Sequence, residues 1–196
     1  MNQKLLDFLS TFPDLSKEEV EAIAAHIPIV EFKKGTVFLK EGEVPGKCYF
    51  VLDGCVRQFT IVDGEEKTTA FYTEKFGTIS STDYTNRTPS GHYLVCAEDS
   101  LLLWGDPSQS MENFAKFPVL KSIVSDMLVE ELNQAKDKFS NFIIANPEQR
   151  YQNFLEERPD LANRVPQHQI ASLLGMTPES LSRIRRRIQK KMSKSI

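Results

Sequence analysis

Val165-Pro166-Gln167-His168-Gln169-Ile170-Ala171-Ser172-Leu173-Leu174-Gly175-Met176-Thr177-Pro178-Glu179-Ser180-Leu181-Ser182-Arg183-Ile184-Arg185-Arg186-Arg187 is the stretch on which the fold turns. Pro166 suits the opening of a helix, where its missing N–H is not needed. Ile170, Ala171 and Leu174 give that helix an apolar face. Gly175 stands where a tight turn asks for a positive φ. Thr177 is then an N-cap and Pro178 the first residue of a second helix, with Met176 and Leu181 placed to staple it. Two short helices joined by a Gly-containing turn describe a helix-turn-helix.

The second helix sorts its residues sharply. At roughly 100° per residue, Leu181, Ile184 and Ile188 fall within about 60° and face inward. Glu179, Arg183, Arg186 and Lys190 fall within roughly 30° of the opposite direction. Such an ionic face fits a major groove. Arg183 can give two donors to guanine and Glu179 can accept from cytosine. Thr177, Ser180 and Ser182 lie beside them, while Arg187, Lys191 and Lys194 suit phosphate contacts, which position without specifying. The competing reading is a solvated basic face, with Glu179 complementing the helix dipole and pairing with Arg183 four residues on.

Whole-chain charge points the other way. The 196 residues carry a formal net charge of −3, with 40% hydrophobic, 26% charged and 10% aromatic residues. A nucleic-acid-binding domain is usually far more basic. The charge is unevenly spread, however. Residues 148–196 hold 10 Lys+Arg against 5 Asp+Glu, and the other 147 residues hold 14 against 22. The basic end is the end with the helix-turn-helix, an asymmetry expected of a nucleic-acid contact. Length allows one or two domains. Cys48, Cys55 and Cys96 cannot all pair and match no zinc spacing, which suits a reducing, cytoplasmic setting. Met1 to Leu15 does not read as a signal peptide, and no apolar run is long enough for a membrane span.

Working further from the C-terminus, residues 118–145 show helical period. Leu128, Leu132, Ala135, Phe139 and Phe142 follow a 4-3-4-3 spacing, preceded by Val124 and Leu120. That is a two-chain seam or, alternatively, the buried face of a core helix. Residues 148–158 read as a further helix, stopped by Pro159. Between about residues 29 and 104, short apolar runs are cut by glycines and by Asp63-Gly64, a hairpin signal. Many short strands at such spacing suggest a sandwich, jelly roll or barrel. Residues 1–30 read as helical, with Ser16 and Glu19 forming a capping box and Leu15 and Val20 a staple.

These pieces, in this order, resemble the Crp/Fnr family of bacterial transcription regulators. The resemblance rests on Phe32-Lys33-Lys34-Gly35, Lys40-Glu41-Gly42, Tyr49-Phe50-Val51-Leu52-Asp53-Gly54, Asp63-Gly64 and Ala97-Glu98-Asp99-Ser100. In the basic end it rests on Ile170-Ala171, Leu174-Gly175 and Thr177 to Arg183. It implies an α+β chain: an N-terminal double-stranded β-helix (a jelly-roll-like β-roll) with flanking helices, a long dimerisation helix and a C-terminal winged helix-turn-helix. The implied domains are a cyclic-nucleotide-binding-like sensor at 1–117, the dimerisation helix at 118–146 and a DNA-binding domain at 147–196. Partners implied are double-stranded DNA, a second copy of the chain through Val124, Leu128, Leu132, Ala135 and Phe139, RNA polymerase and a small-molecule effector. By the same similarity, Glu179 and Arg183 occupy base-reading positions, and Pro178 stands where relatives often carry a base.

In family members that bind cyclic AMP, a Gly-Glu pair and an Arg-Ser or Arg-Thr pair hold the nucleotide. The matching stretch runs from Phe76 to Ser90, giving Gly77, Thr78, Ile79 and Ser90 as effector-pocket residues. Thr78 replaces the carboxylate and Pro89 the guanidinium, with Arg87 or His92 as substitute cations. Loss of the cation leaves a phosphate poorly neutralised, so cyclic AMP is not the expected effector. No cofactor or metal is expected: a cysteine cluster for iron–sulfur is lacking, and His26, His92 and Cys48 form no clear axial pair for haem. A ligand-binding module acting mainly through protein contacts is the alternative. An enzyme on a cupin-like roll would want clustered His and carboxylate ligands, and His26, His92 and His168 do not supply them.

Overall fold

The computed structural model describes residues 2–79, 84 and 86–192. They fall into two compact units, Met1–Thr60 with Ala70–Glu130 and Ile61–Thr69 with Glu131–Ile196.

The first unit is built on a β-roll. Strands β1 (Ile29–Phe32), β2 (Val37–Leu39), β3 (Cys48–Asp53), β4 (Cys55–Val62), β5 (Glu65–Thr73), β6 (Thr78–Ile79), β7 (Tyr93–Cys96) and β8 (Ser100–Gly105) form two four-stranded sheets among the described residues. Their orders are β1-β8-β3-β6 and β2-β7-β4-β5. Successive side chains of a strand point to opposite faces, which explains why β3 and β8 read as unbroken apolar runs. Val51 and Leu102 join Leu39, Val56, Ile79, Leu94 and Cys96 in one buried cluster. Their neighbours Leu52 and Leu101 point the other way, into a cluster with Leu5, Leu9, Val20, Ile23 and Ala24. Both faces of this sheet are therefore covered.

The helices making that cover are α1 (Gln3–Leu9) and α2 (Lys17–Ala24). The expected capping box holds α2: the Glu19 N–H donates to Ser16 Oγ at 3.2 Å and the Ser16 N–H to Glu19 Oε2 at 2.9 Å. At the hairpin between β4 and β5, Asp63 and Gly64 both have positive φ, 53° and 79°, as a type I′ turn demands. A helix that the sequence reading passes over, α3 (Pro107–Lys116), follows β8, capped by Asp106 accepting from the Gln109 N–H at 2.9 Å.

The long helix α4 runs from Val119 to Ile144, within a residue of the expected span. Its first turns belong to the first unit, where Leu120 and Ile123 are buried. Its later turns belong to the second, with α5 (Pro147–Glu157), a short 3-10 turn (Leu161–Asn163), α6 (Gln167–Leu173) and α7 (Pro178–Met192). Tyr151, Phe154, Leu161, Val165, Ile170, Ala171, Leu174, Leu181 and Ile184 are its buried core. The tip of the β4–β5 hairpin lies in this unit too, where the Thr68 N–H donates to Ser172 Oγ at 2.8 Å.

The second unit differs from expectation in one respect. Apart from the β4–β5 tip, its described residues contain no strand, so the wing implied by the family resemblance is missing there. Between α5 and α6 only nine residues are available, including Pro159 and Pro166. Proline removes ladder donors, and the segment instead makes its 3-10 turn beside Arg158, which bonds Asp160 at 3.2 Å. Beyond α6 the described chain is a single helix.

No helix among the described residues is long and apolar enough to cross a membrane. No group of three or more His, Cys, Asp or Glu side chains among them could hold a metal ion.

Candidate nucleic-acid interface

The turn between α6 and α7 sets the geometry. Gly175 has φ +66°, and a Cβ added there would stand 3.2 Å from the Phe142 ring and 3.5 Å from the Arg150 guanidinium. The left-handed conformation costs a non-glycine residue roughly 1–2 kcal/mol. Gly175→Ala is expected to destabilise the second unit by about that amount, read as a lower urea midpoint with unchanged slope. Two residues on, Thr177 caps α7 through the Ser180 N–H at 3.2 Å, and Pro178 is its first residue.

Burial of Leu181 (1% exposed) and Ile184 (6%) fixes the rotation of α7. Thr177, Glu179, Ser182, Arg183, Arg186, Arg187 and Lys190 are exposed, and Ser180 is half-buried. Arg183 does not spend its guanidinium on the Glu179 carboxylate. Its Nε donates to the Glu179 carbonyl at 3.4 Å and its Nη2 to Ser180 Oγ at 3.3 Å. Glu179 is held below the usual carboxylate range by its own backbone N–H, then by Thr177 and the Arg183 charge. It is thus an acceptor beside a donor on one exposed face. Lys194 lies outside the described residues.

One contact was not legible in the sequence. Arg187 and Lys191 lie on the flank of α7, and both donate to Glu148 in the first turn of α5, at 2.7 Å and 2.8 Å. Arg150, also on α5, places its guanidinium 3.8 Å from the centroid of the Phe142 ring. It donates to the carbonyls of Phe142, Ala145 and Leu174. Phe142 continues the 4-3 spacing of the α4 seam, yet its ring meets this arginine.

Leu120 at the start of the seam is buried, while the other seam residues face outward in the isolated chain. Leu128 is 45% exposed, Leu132 55% and Phe139 67%, with Val124 and Ala135 also exposed.

The residues expected around an effector are divided. Gly77 packs against β3, where an added Cβ would stand 2.8 Å from the Val51 carbonyl oxygen. Thr78 and Ile79 form β6, paired with Phe50 and Tyr49. Ile79 lines a cavity of about 260 Å³ with Phe38, Lys47, Gln58, Tyr84 and His92. Thr78 lies instead on an apolar groove of about 300 Å³. Ser90 is 2% exposed, and its hydroxyl is engaged locally, donating to the His92 carbonyl at 3.0 Å and accepting from the His92 N–H at 3.2 Å. Residues 80–83 and 85 of the expected cassette lie outside the described residues.

Comparisons with known proteins agree with this architecture. Residues 29–116 match the family model of the cyclic nucleotide-binding domain. Among solved structures, FixK2 from Bradyrhizobium japonicum is similar at 18% identity and TM-score 0.69, over 84% of this chain and 85% of that one. A CooA mutant from Carboxydothermus hydrogenoformans is similar at 18% identity and TM-score 0.68, over 95% and 84%. The Thermus thermophilus catabolite activator protein is similar at 19% identity and TM-score 0.55, over 92% and 86%. No curated protein sequence matches the chain. Residues 29–116 thus form a cyclic nucleotide-binding-type domain, and the chain shares the fold of these solved structures.

Proposed function

We propose that this chain is a DNA-binding transcription regulator that acts as a homodimer in the cytoplasm and reads a palindromic operator with α7. The observation that carries this reading is the rotation of α7: buried Leu181 and Ile184 turn Glu179, Arg183, Arg186 and Lys190 outward together. Such a face supplies both base-edge donors and phosphate contacts. The exposed apolar stripe Val124, Leu128, Leu132, Ala135 and Phe139 supports pairing of two chains through α4. In-vitro selection of duplexes bound by the purified protein tests the reading. Enrichment of a two-fold symmetric site, with half-site centres about 34 Å or a multiple apart, is the expected result. Binding without salt dependence, and no enriched sequence, would overturn it and favour a module working through protein contacts.

In this reading the β-roll does not bind cyclic AMP. Pro89 brings no cation, Thr78 no carboxylate, and the Ser90 hydroxyl is engaged with His92. Saturating cyclic AMP should leave the melting temperature unchanged. A saturable rise with concentration would refute that assignment, since a ligand that binds only the folded state raises stability by mass action.

A further inference from the structure

Two bases of the recognition helix are already paired inside the protein. Arg187 Nη1 donates to Glu148 Oε2 and Lys191 Nζ to Glu148 Oε1, so each carboxylate oxygen meets one cation. The three side chains differ in exposure: Glu148 is 19% exposed, Arg187 59% and Lys191 66%. The acid is the anchored member and the bases are the ones that reach solvent. Its place is well defined, because the Asn146–Gln149 capping box fixes the first turn of α5. The Lys191 ammonium, then the Arg187 guanidinium, hold its carboxyl below the usual range. Glu148, Arg187, Arg183 and Thr177 line one open groove.

A DNA phosphate offers Arg187 and Lys191 the same chemistry as this carboxylate: an anionic oxygen pair accepting charged donors. Each phosphate neutralised adds about 0.9 to the salt slope of binding, whatever the sequence. A helix with all its bases free would therefore gain affinity for every duplex alike. The base-reading pair is untouched, since Glu148 bonds neither Glu179 nor Arg183.

We infer that Glu148 is a positioning residue, an internal counter-ion that withholds Arg187 and Lys191 from the DNA backbone and so sets the sequence-independent part of binding. The inference rests on the DNA-binding reading above. It assigns Arg187 to the withheld flank of α7 and leaves sequence readout to the exposed face.

The test uses the full chain, unsubstituted and as Glu148→Gln, with a random-sequence duplex and the selected operator, across a salt series. Glu148→Gln should steepen the slope on the random duplex by between one and two, about 0.9 for each phosphate gained, and tighten binding there by about tenfold at low salt. Operator affinity should rise by a similar factor, since a phosphate contact carries no sequence information. Glu148→Asp should restore the original slope, and in an Arg187→Ala/Lys191→Ala background Glu148→Gln should change nothing. Glu148→Ser, tolerated in a first helical turn, serves as a second removal variant should the first fail to fold. A purely structural role would lower the melting temperature and weaken both complexes without steepening either slope. That result, or an unchanged slope, overturns the inference while the DNA-binding reading stands. No salt-dependent binding by the unsubstituted chain overturns both.

Discussion

Arg183→Ala is expected to weaken binding to the selected operator by about 1–3 kcal/mol, about fivefold to more than a hundredfold, and to relax selection at one base position per half-site. The argument begins from the core. Leu181 and Ile184 are buried on one side of α7, so Arg183, between them in sequence, emerges on the other. Among the described residues its guanidinium is engaged by the Glu179 carbonyl and Ser180 Oγ, at 3.4 Å and 3.3 Å. Those lengths are at the weak end for hydrogen bonds, so they orient the fork without holding it back. A bidentate pair with guanine O6 and N7 is the contact this geometry favours. Melting temperature should change little, because the side chain is exposed. A variant that selects the same site with the same affinity would remove Arg183 from base readout. A uniform loss over all sequences would make it a phosphate contact instead.

The second large effect concerns α4. Leu132→Glu combined with Phe139→Glu should convert the proposed dimer to a single chain in sedimentation. Operator affinity should fall by about a hundredfold or more as two linked contacts become one. Both residues are more than half exposed in the single chain, so the charges add no burial penalty to the monomer's own fold. Placed on facing helices they would bury four like charges at a seam that wants apolar residues. A variant that still sediments as a dimer would place the interface elsewhere. Unfolding instead of dissociation would show that α4 packs on its own chain more than its exposure indicates.

Much of this was legible in the residues. Ser16 and Glu19, Asp63-Gly64, Gly175 and Thr177-Pro178 each carry a local physical reason, a cap or a positive φ, and local reasons survive without knowledge of the fold. Strand β6 did not announce itself because two residues, Thr78 and Ile79, show no period. Helix α3 had one signal, Asp106 before Pro107, the N-cap and first-turn proline that were read correctly at Thr177-Pro178. Ser90 belongs to the expected effector cassette, but residue type says nothing about the direction of its hydroxyl, which meets His92. Glu148 could not be found from sequence at all. Its partners lie 39 and 43 residues away, and only tertiary packing brings α5 against α7.

The three carbonyls gathered by Arg150 have a mechanical consequence. One guanidinium grips the end of α4 at Phe142 and Ala145 and the start of the reading turn at Leu174, with the Phe142 ring against its face. The joint at Asn146 is therefore bridged from both sides by one side chain. The last turns of α4 and the turn before α7 share this one brace, like a key bit pinned to its shank.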